Sequence, residues 1–134
     1  MRITGGSAKG RKLTPPRSNL IRPTCDRVRE ALFNIIGERI VGSRVLDLFA
    51  GTGPIALHLA SIADRVVAVE SWEPSVLAAR ENLALNDIQN VDVLAADVNE
   101  ALPPGMPEKV DLVVVDPPRP GLSPEAIAWV AKLE

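Results

Sequence analysis

The sequence predicts an α/β domain with a parallel sheet and helices on both faces. Three observations support this class: short apolar runs recur along the chain, helical segments separate them, and polar residues follow each run. The runs are Arg44–Phe49, Arg65–Glu70, Val91–Ala95 and Val110–Val115. Such runs are typical of strands buried on both faces of a parallel sheet. Because the carboxyl ends of parallel strands meet at one edge, we expect the polar residues there to form a ligand site.

The segment before the first strand predicts a hairpin followed by a helix. Arg2–Thr4 and Arg11–Thr14 flank glycines and can pair as two short strands, after which prolines interrupt the chain. From Thr24 to Ile36 the pattern predicts a helix that ends at Gly37 and lies on the sheet. Its expected core-facing residues are Val28, Ala31, Leu32, Ile35 and Ile36.

Prolines mark the starts of the remaining helices. Pro54 follows the first strand, Pro74 begins a helix that runs to Leu85, and Pro124 lies in the first turn of a helix that begins near Ser123. In the helix Pro74–Leu85, the residues expected to face the core are Val76, Leu77, Leu83 and Ala84.

The run DLFAGTG, residues 47–53, predicts a cofactor-binding turn. Gly51 and Gly53 can adopt positive φ and let backbone N–H groups approach a ligand at the start of a helix. Glu70 ends the next strand at a distance along the chain that suits a contact with ribose hydroxyls. Asp47 would repel a pyrophosphate and attract the α-amino group of a methionine moiety. These charges favour S-adenosylmethionine over a nicotinamide dinucleotide.

Composition limits the other possibilities. The 134 residues suit one domain, no apolar run is long enough to span a membrane, and the N-terminus has no hydrophobic signal core, so we expect a cytoplasmic protein. Cys25 is the one cysteine and His58 the one histidine, which excludes an internal disulfide and a cysteine-based metal cluster. We therefore predict no metal site, and we expect His58 to face solvent or pack on its helix.

Positive charge is concentrated near the N-terminus. The chain has a net charge of −2, yet residues 1–30 carry eight Lys and Arg against two Asp and Glu. A basic arm favours nucleic-acid binding through phosphate contacts, with a solvated tail as the alternative. The residues predicted to bind RNA are Lys9, Arg11, Lys12 and Arg22. No aromatic residue lies among these charges, so the arm would contact backbone phosphates rather than stack on bases.

Two parts of the chain resemble two families of RNA methyltransferases. Residues 1–53, with the runs MRITGGSAKGRKL, IRPTCDRVREALFNIIG and RVLDLFAGTG, resemble the bacterial enzymes that methylate guanine N2 in 16S ribosomal RNA. Residues 63–122, with ADRVVAVE and VDLVVVDPPRPGL, are similar to the RNA uracil C5 methyltransferases. The resemblance implies a Rossmann-like class I methyltransferase fold with strand order 3-2-1-4. It divides the chain into a basic arm, residues 1–23, and an S-adenosylmethionine-binding domain, residues 24–134, without the usual C-terminal strands.

The resemblance also assigns roles to residues at the strand ends. Asp47, Gly51 and Gly53 would hold the methionine end of the cofactor, Glu70 the ribose and Asp97 the adenine. Further cofactor-binding residues are Phe49, Ser71, Trp72 and Val98. The catalytic residues, which would hold the target base, are Asp116, Pro117, Pro118 and Arg119.

Nearer the N-terminus, the resemblance places the loop of Arg22, Pro23 and Thr24 near the cofactor. The helix bearing Arg29 and Phe33 would pack beside the glycine turn. From periodicity alone, Phe33 is equally a plain core residue and Arg29 equally a solvated charge.

The chain departs from each family at one position. The guanine N2 family has an aromatic residue after the paired prolines, where this chain has Arg119. Uracil C5 chemistry needs a cysteine downstream of the DPPR run, and Cys25 lies upstream of it. Because the position of Cys25 weighs against uracil C5 chemistry, we predict an RNA methyltransferase that acts on 16S rRNA guanine N2. The alternatives are a uracil C5-type fragment and an inactive cofactor- or RNA-binding module.

The fourth strand predicts an exposed, apolar sheet edge. With strand order 3-2-1-4, Val110–Val115 has one neighbouring strand, and unpaired edges promote association. We expect a truncated, chimeric or engineered minimal domain. It should form homo-oligomers through this edge, or cover the edge with the basic arm or the last helix.

Overall fold

The structure, a computed structural model, describes residues 2–3, 9–14, 26–100 and 103–133. Its sheet has four parallel strands in the order β3-β2-β1-β4. They are β1 (Arg44–Leu48), β2 (Arg65–Glu70), β3 (Val91–Ala95) and β4 (Leu112–Val115). The predicted parallel sheet and its strand order are confirmed. In the register of the sheet, Asp47 lies between Ala68 of β2 and Val114 of β4.

Helices cover both faces of the sheet, as predicted. They are α1 (Asp26–Ile36), α2 (Pro54–Leu59), α3 (Glu73–Leu85) and α4 (Pro124–Val130), with a short 3-10 helix at Gly37–Ile40. On one face Ile36 of α1, Ile55 of α2 and Leu83 of α3 share a hydrophobic cluster with the sheet. On the other face Ala126 of α4 packs with Leu46 and Val67. Within the described residues, no helix is long and apolar enough to cross a membrane.

The strand limits differ from the prediction at two places. β1 ends at Leu48 because Phe49 has a φ of 63°, which is incompatible with an extended strand. β4 begins at Leu112, and the preceding Asp111 instead accepts a hydrogen bond at its side chain from the Arg44 N–H, 2.8 Å away. Both changes shorten a strand without altering the order of the strands.

The predicted core faces of α1 and α3 are partly wrong. On α1, Leu32 and Ile36 face the core as expected, together with Arg29 and Phe33. Ala31 is exposed, and Val28 and Ile35 are 54% and 79% exposed. On α3, Val76 and Leu83 are buried as expected, whereas Leu77 and Ala84 are exposed. The buried residues also include Ser75, Ala78, Ala79 and Asn82. Small side chains at the inner positions let α3 approach the turn after β1 closely.

The N-terminal hairpin is present in the described part of the arm. The Ile3 N–H donates to the Arg11 carbonyl at 3.0 Å, and the Gly10 N–H donates to the Ile3 carbonyl at 2.8 Å. Ile3 and Leu13 are buried in the same cluster as α1 and α2. Residues 4–8 and 15–25 lie outside the described residues, so Arg22, the loop of residues 22–24 and Cys25 have no structural account.

Candidate functional site

Backbone hydrogen bonds join the carboxyl ends of the four strands. The Ala50 N–H donates to the Val69 carbonyl at 3.0 Å, and the Ala96 N–H donates to the Glu70 carbonyl at 3.0 Å. On the other side of β1, the Asp116 N–H donates to the Leu48 carbonyl at 3.3 Å. The polar residues that follow the strands therefore meet along one edge, which we call the carboxyl edge.

The glycine turn, residues 49–53, has the backbone conformation that its sequence predicts. Gly51 and Gly53 have φ values of 58° and 86°. A Cβ at Gly53 would lie 2.7 Å from Cδ1 of the buried Leu57, so this position needs glycine for space as well as for backbone conformation. Phe49 also has positive φ, which is uncommon for a bulky residue and is typical of functional sites.

Glu70 holds the glycine turn against the end of β2. Its Oε2 atom accepts a hydrogen bond from the Gly51 N–H at 2.8 Å, and its Oε1 atom accepts one from the Trp72 N–H at 2.9 Å. Each oxygen of an ionised carboxylate can accept a second hydrogen bond. Glu70 can therefore fix the turn and still accept from a ligand hydroxyl.

Asp47 is a buried acid at the centre of this edge. Its side chain is 0% exposed, and neither carboxyl oxygen makes a hydrogen bond of normal geometry. Burial, with the charges of Asp116 and Glu70, raises the pKa of Asp47 to about 8, although the Ala56 amide of α2 partly offsets these effects. A cation that entered this edge would favour the ionised form of Asp47.

The residues after β2 and β3 differ in exposure. Ser71 is exposed and Trp72 is half-buried. Asp97 is also half-buried, and its Oδ1 accepts from the Asn99 N–H at 2.8 Å. The Val98 side chain is 1% exposed within the core, and its carbonyl accepts from Trp129 Nε1 of α4 at 3.2 Å. Asp97 directly follows Ala96, whose N–H donates to the Glu70 carbonyl, so Asp97 lies at the carboxyl edge.

The DPPR run lies at the end of β4. Asp116 is exposed and Pro117 is half-buried. The Pro118 carbonyl accepts from the Gly121 N–H at 2.8 Å, which closes a tight turn with the exposed Arg119 at its tip. The run therefore places an exposed acid next to the end of β1 and an exposed cation on the turn that follows.

The basic residues of the described arm are exposed. Lys9, Arg11 and Lys12 lie on the hairpin, and Arg11 donates to the Asn86 carbonyl at the end of α3, 3.2 Å away. Arg29, by contrast, is 1% exposed and donates to the Arg2 carbonyl at 3.2 Å. The interpretation of Arg29 as a solvated charge is wrong, because this side chain anchors the arm to α1.

Phe33 and His58 form a stacked pair under the arm. Their ring centroids are 3.3 Å apart with an interplanar angle of 23°. Burial, with the positive charges of Arg29 and Lys9, lowers the pKa of His58 to about 4. His58 is therefore neutral at physiological pH and packs between α1 and α2, in agreement with the second of the two expected placements.

Sequence reasoning missed Asn82, which is fully buried in the middle of α3. Its side chain hydrogen-bonds to Thr14 of the arm and to Thr52 of the glycine turn. Asn82 lies one helical turn after Ala78 and Ala79, on the face that packs against the sheet. Asn82 could have been found in the sequence as a polar residue at a helical position that faces the core.

The parallel sheet, the glycine turn and the acids along its carboxyl edge define a class I methyltransferase fold. The chain belongs to the family described as Conserved hypothetical protein 95, whose model matches residues 1–132. The structure is similar to that of the Escherichia coli protein yhhF, a candidate methyltransferase. The TM-score is 0.80 with 34% identity, over 97% of this chain and 71% of that chain.

Curated relatives are RNA methyltransferases. The chain is 39% identical over 130 residues to the ribosomal RNA small subunit methyltransferase D of Escherichia coli K12, covering 95% of this chain and 65% of the relative. It is 36% identical over 109 residues to an uncharacterized RNA methyltransferase of Caldanaerobacter subterraneus, covering 81% of this chain and 24% of the relative. The chain therefore spans about a quarter to two thirds of the length of these relatives.

One similar structure contains a cofactor product. It is the tRNA (uracil-54, C5)-methyltransferase of Pyrococcus abyssi in complex with S-adenosyl-L-homocysteine, with a TM-score of 0.65 and 25% identity. The match covers 85% of this chain and 28% of that chain. The resemblance of this chain to RNA methyltransferases is thus confirmed.

Proposed function

We propose that this protein is an S-adenosylmethionine-dependent methyltransferase that acts on small-subunit ribosomal RNA, with guanine N2 as the acceptor. The observation that carries the proposal is the convergence of Asp47, Glu70 and Asp116 beside the glycine turn. Burial and the two neighbouring acids raise the pKa of the Asp47 carboxyl, and such a cluster of acids favours a cationic ligand. S-adenosylmethionine has an ammonium group, a sulfonium and a ribose diol, and so fits this chemistry.

In this proposal each part of the cofactor has a partner along the carboxyl edge. The buried charge of Asp47 would attract the ammonium group, aided by the N–H groups of the glycine turn at Gly51 and Gly53. Glu70 would accept from the ribose hydroxyls with its remaining lone pairs, and Asp97 from the adenine amino group. The other expected contacts are Phe49, Ser71, Trp72 and the Val98 backbone.

The target base would lie beside the DPPR run. The bound cofactor supplies a methyl group that is already activated by its sulfonium, so the protein's task is to position the acceptor. Asp116 and the Pro117 carbonyl can accept hydrogen bonds from an exocyclic amine, which favours guanine N2. Pro118 shapes the turn that presents Arg119, whose guanidinium plane can stack on a base where an aromatic ring would otherwise do so.

A uracil C5 acceptor is the second candidate. It is favoured by Arg119 in the DPPR run and by the similarity to the tRNA (uracil-54, C5)-methyltransferase. The third candidate is an inactive module that binds cofactor or RNA without turnover. Incubation of the protein with labelled cofactor and unmodified 16S transcript separates the three, because the labelled nucleoside is methylguanosine, methyluridine or neither.

The arm, residues 1–23, would hold RNA by its phosphates. The exposed side chains of Lys9, Arg11 and Lys12 lie on the hairpin, and Arg22 follows it in sequence. Charge neutralisation of this kind makes RNA affinity fall steeply with salt. Ribosomal RNA as the substrate also implies a cytoplasmic location.

Calorimetry with S-adenosylhomocysteine tests the cofactor assignment directly. Glu70→Ala should weaken binding by about 1–3 kcal/mol, because it removes charge-assisted hydrogen bonds to the ribose and releases the Gly51 N–H. Asp92→Ala is a matched control, since Asp92 pairs with Arg65 at the opposite end of β2 and β3. Absence of binding to the unmodified protein would refute the cofactor assignment.

We also propose that the outer edge of β4 pairs with another copy of this chain. Among the described residues no strand pairs with β4 on that side, and the neighbouring Val28 of α1 is 54% exposed. A groove of about 240 Å³ runs between α1 and β4 and ends at Asp116. Neither the described part of the arm nor α4 adds a strand there. Light scattering that finds a monodisperse monomer would refute this association.

A further inference from the structure

Asn82 contacts both the arm and the glycine turn with one buried side chain. Its Oδ1 atom accepts from the Thr14 N–H at 2.7 Å, and its Nδ2 atom donates to the Thr14 carbonyl at 3.3 Å. The same Nδ2 atom donates to the Thr52 carbonyl at 3.2 Å. Both polar atoms of the Asn82 amide are hydrogen-bonded within the protein, and the side chain is 0% exposed, so it is shielded from solvent.

The two segments that Asn82 joins are far apart in sequence and have different roles in the proposed function. Thr14 is the last described residue of the basic hairpin, and Thr52 lies between the two glycines of the turn. Glu70 fixes the turn at the Gly51 N–H, and Asn82 fixes it one residue later at a carbonyl. Hydrogen bonds on successive residues restrict the orientation of the peptide groups that would face a ligand.

We propose that Asn82 is a positioning residue through which the arm and the cofactor site are coupled. A ligand that holds the arm in place stabilises the Thr14 contact, and a ligand in the glycine turn stabilises the Thr52 contact. Since both contacts depend on one placement of the Asn82 side chain, each ligand strengthens the binding of the other. This inference depends on the proposed function, and it names the residue that would link RNA binding to cofactor binding.

Asn90 provides a matched control for a purely structural role. Its Nδ2 atom donates to the Ala60 and Ala63 carbonyls at 2.8 and 3.2 Å. It therefore ties a loop to the start of β3 with two similar hydrogen bonds, but within the described residues its side chain donates to neither the arm nor the glycine turn. Asn82→Asp and Asn90→Asp each replace an Nδ2 donor by an oxygen that faces two backbone carbonyls. The folded state of both variants should therefore be less stable.

The experiment measures the affinity for S-adenosylhomocysteine with and without an unmodified 16S rRNA transcript. In the unmodified protein, RNA should lower the Kd for S-adenosylhomocysteine about fivefold or more, and S-adenosylhomocysteine should lower the Kd for RNA by the same factor. In Asn82→Asp this factor should fall to about one, and the Kd for S-adenosylhomocysteine alone should rise about tenfold. In Asn90→Asp, RNA should lower the Kd for S-adenosylhomocysteine by the same factor as in the unmodified protein.

Each outcome decides the proposal. A factor near one in the unmodified protein overturns the coupling, even if Asn82→Asp fails to fold. The role of Asn82 is overturned if RNA lowers the Kd for S-adenosylhomocysteine as much in Asn82→Asp as in the unmodified protein. It is also overturned if Asn90→Asp, with an equal fall in Tm, loses this effect of RNA. If the unmodified protein does not bind S-adenosylhomocysteine, the proposed function fails first, which is a different result from binding without coupling.

Discussion

The two halves of the carboxyl edge differ in the exposure of their polar groups. In the turn half, which comprises the glycine turn and Glu70, the carboxylate accepts two backbone N–H groups and Gly53 fits against Leu57. In the β4 half, which comprises β4 and the DPPR run, Asp116 and Arg119 are exposed. The turn half is therefore organised before a ligand binds, whereas the β4 half presents exposed groups to a partner.

This difference matches the demands of the two proposed ligands. A small cofactor needs fixed N–H groups and acids, because misplacement by about 1 Å costs much of the binding and rate. A large RNA brings many contacts of its own, and it can be positioned by an exposed acid and a basic arm. The predictions below test whether the two halves can be altered independently.

The largest expected effect is on turnover and comes from the β4 half. Asp116→Ala should lower methyl transfer by about 100-fold or more, because it removes an acceptor for the target amine. It should not weaken binding of S-adenosylhomocysteine, since loss of the Asp116 charge lowers the pKa of Asp47 and favours its ionised form. Labelled methyl transfer and calorimetry measure the two effects. Equal losses of turnover and affinity would show that the halves act as one unit.

The next effect concerns the turn half. Gly53→Ala should destabilise the fold by about 2 kcal/mol and weaken S-adenosylhomocysteine binding more than tenfold, because a Cβ there meets Leu57 at a φ of 86°. Gly42→Ala is the control, since Gly42 has a φ of 69° with open space around it and lies away from the carboxyl edge. Urea unfolding and calorimetry should find strain in both variants but weak binding only in Gly53→Ala.

A smaller effect should appear as a dependence on pH. The pKa of Asp47 is raised from 3.8 to about 8, so the folded protein holds a proton that the unfolded chain releases between these values. The free energy of unfolding should therefore fall as pH rises through this window, and affinity for a cationic ligand should rise. Asp47→Asn should remove both trends. Thermal unfolding and calorimetry between pH 5 and 8 measure them, and parallel curves for the two proteins would contradict the assignment.

The smallest effect on stability is expected at the outer edge of β4. Val28→Lys places a charge on a side chain that is 54% exposed and lines the groove beside β4, so the free energy of unfolding should change by less than about 0.5 kcal/mol. If copies of the chain associate along this edge, the variant should be more monomeric in light scattering. Glu38→Lys, on the 3-10 helix that follows α1, is the control for added charge. Association that is unaffected by Val28→Lys would place the contact elsewhere.

Patterns with short range were predictable from the sequence. The apolar runs, the prolines and the glycines located all four strands, and the starts of all four helices, within two residues. The position of Glu70 at the end of β2 was predictable for the same reason, since strand length and turn chemistry are local properties. The inner face of α1 was not, because Arg29 has a partner in the arm that periodicity cannot reveal.

The sequence by itself determined the fold class, the strand order implied by its resemblance, and the positions at which polar residues leave the sheet. Tertiary structure alone decided how those residues act on one another. The pKa of Asp47 depends on Asp116 and Glu70, and the glycine turn is held by Glu70 and Asn82. These partners are distant in the chain and close only after folding, and both burial and charge act through space.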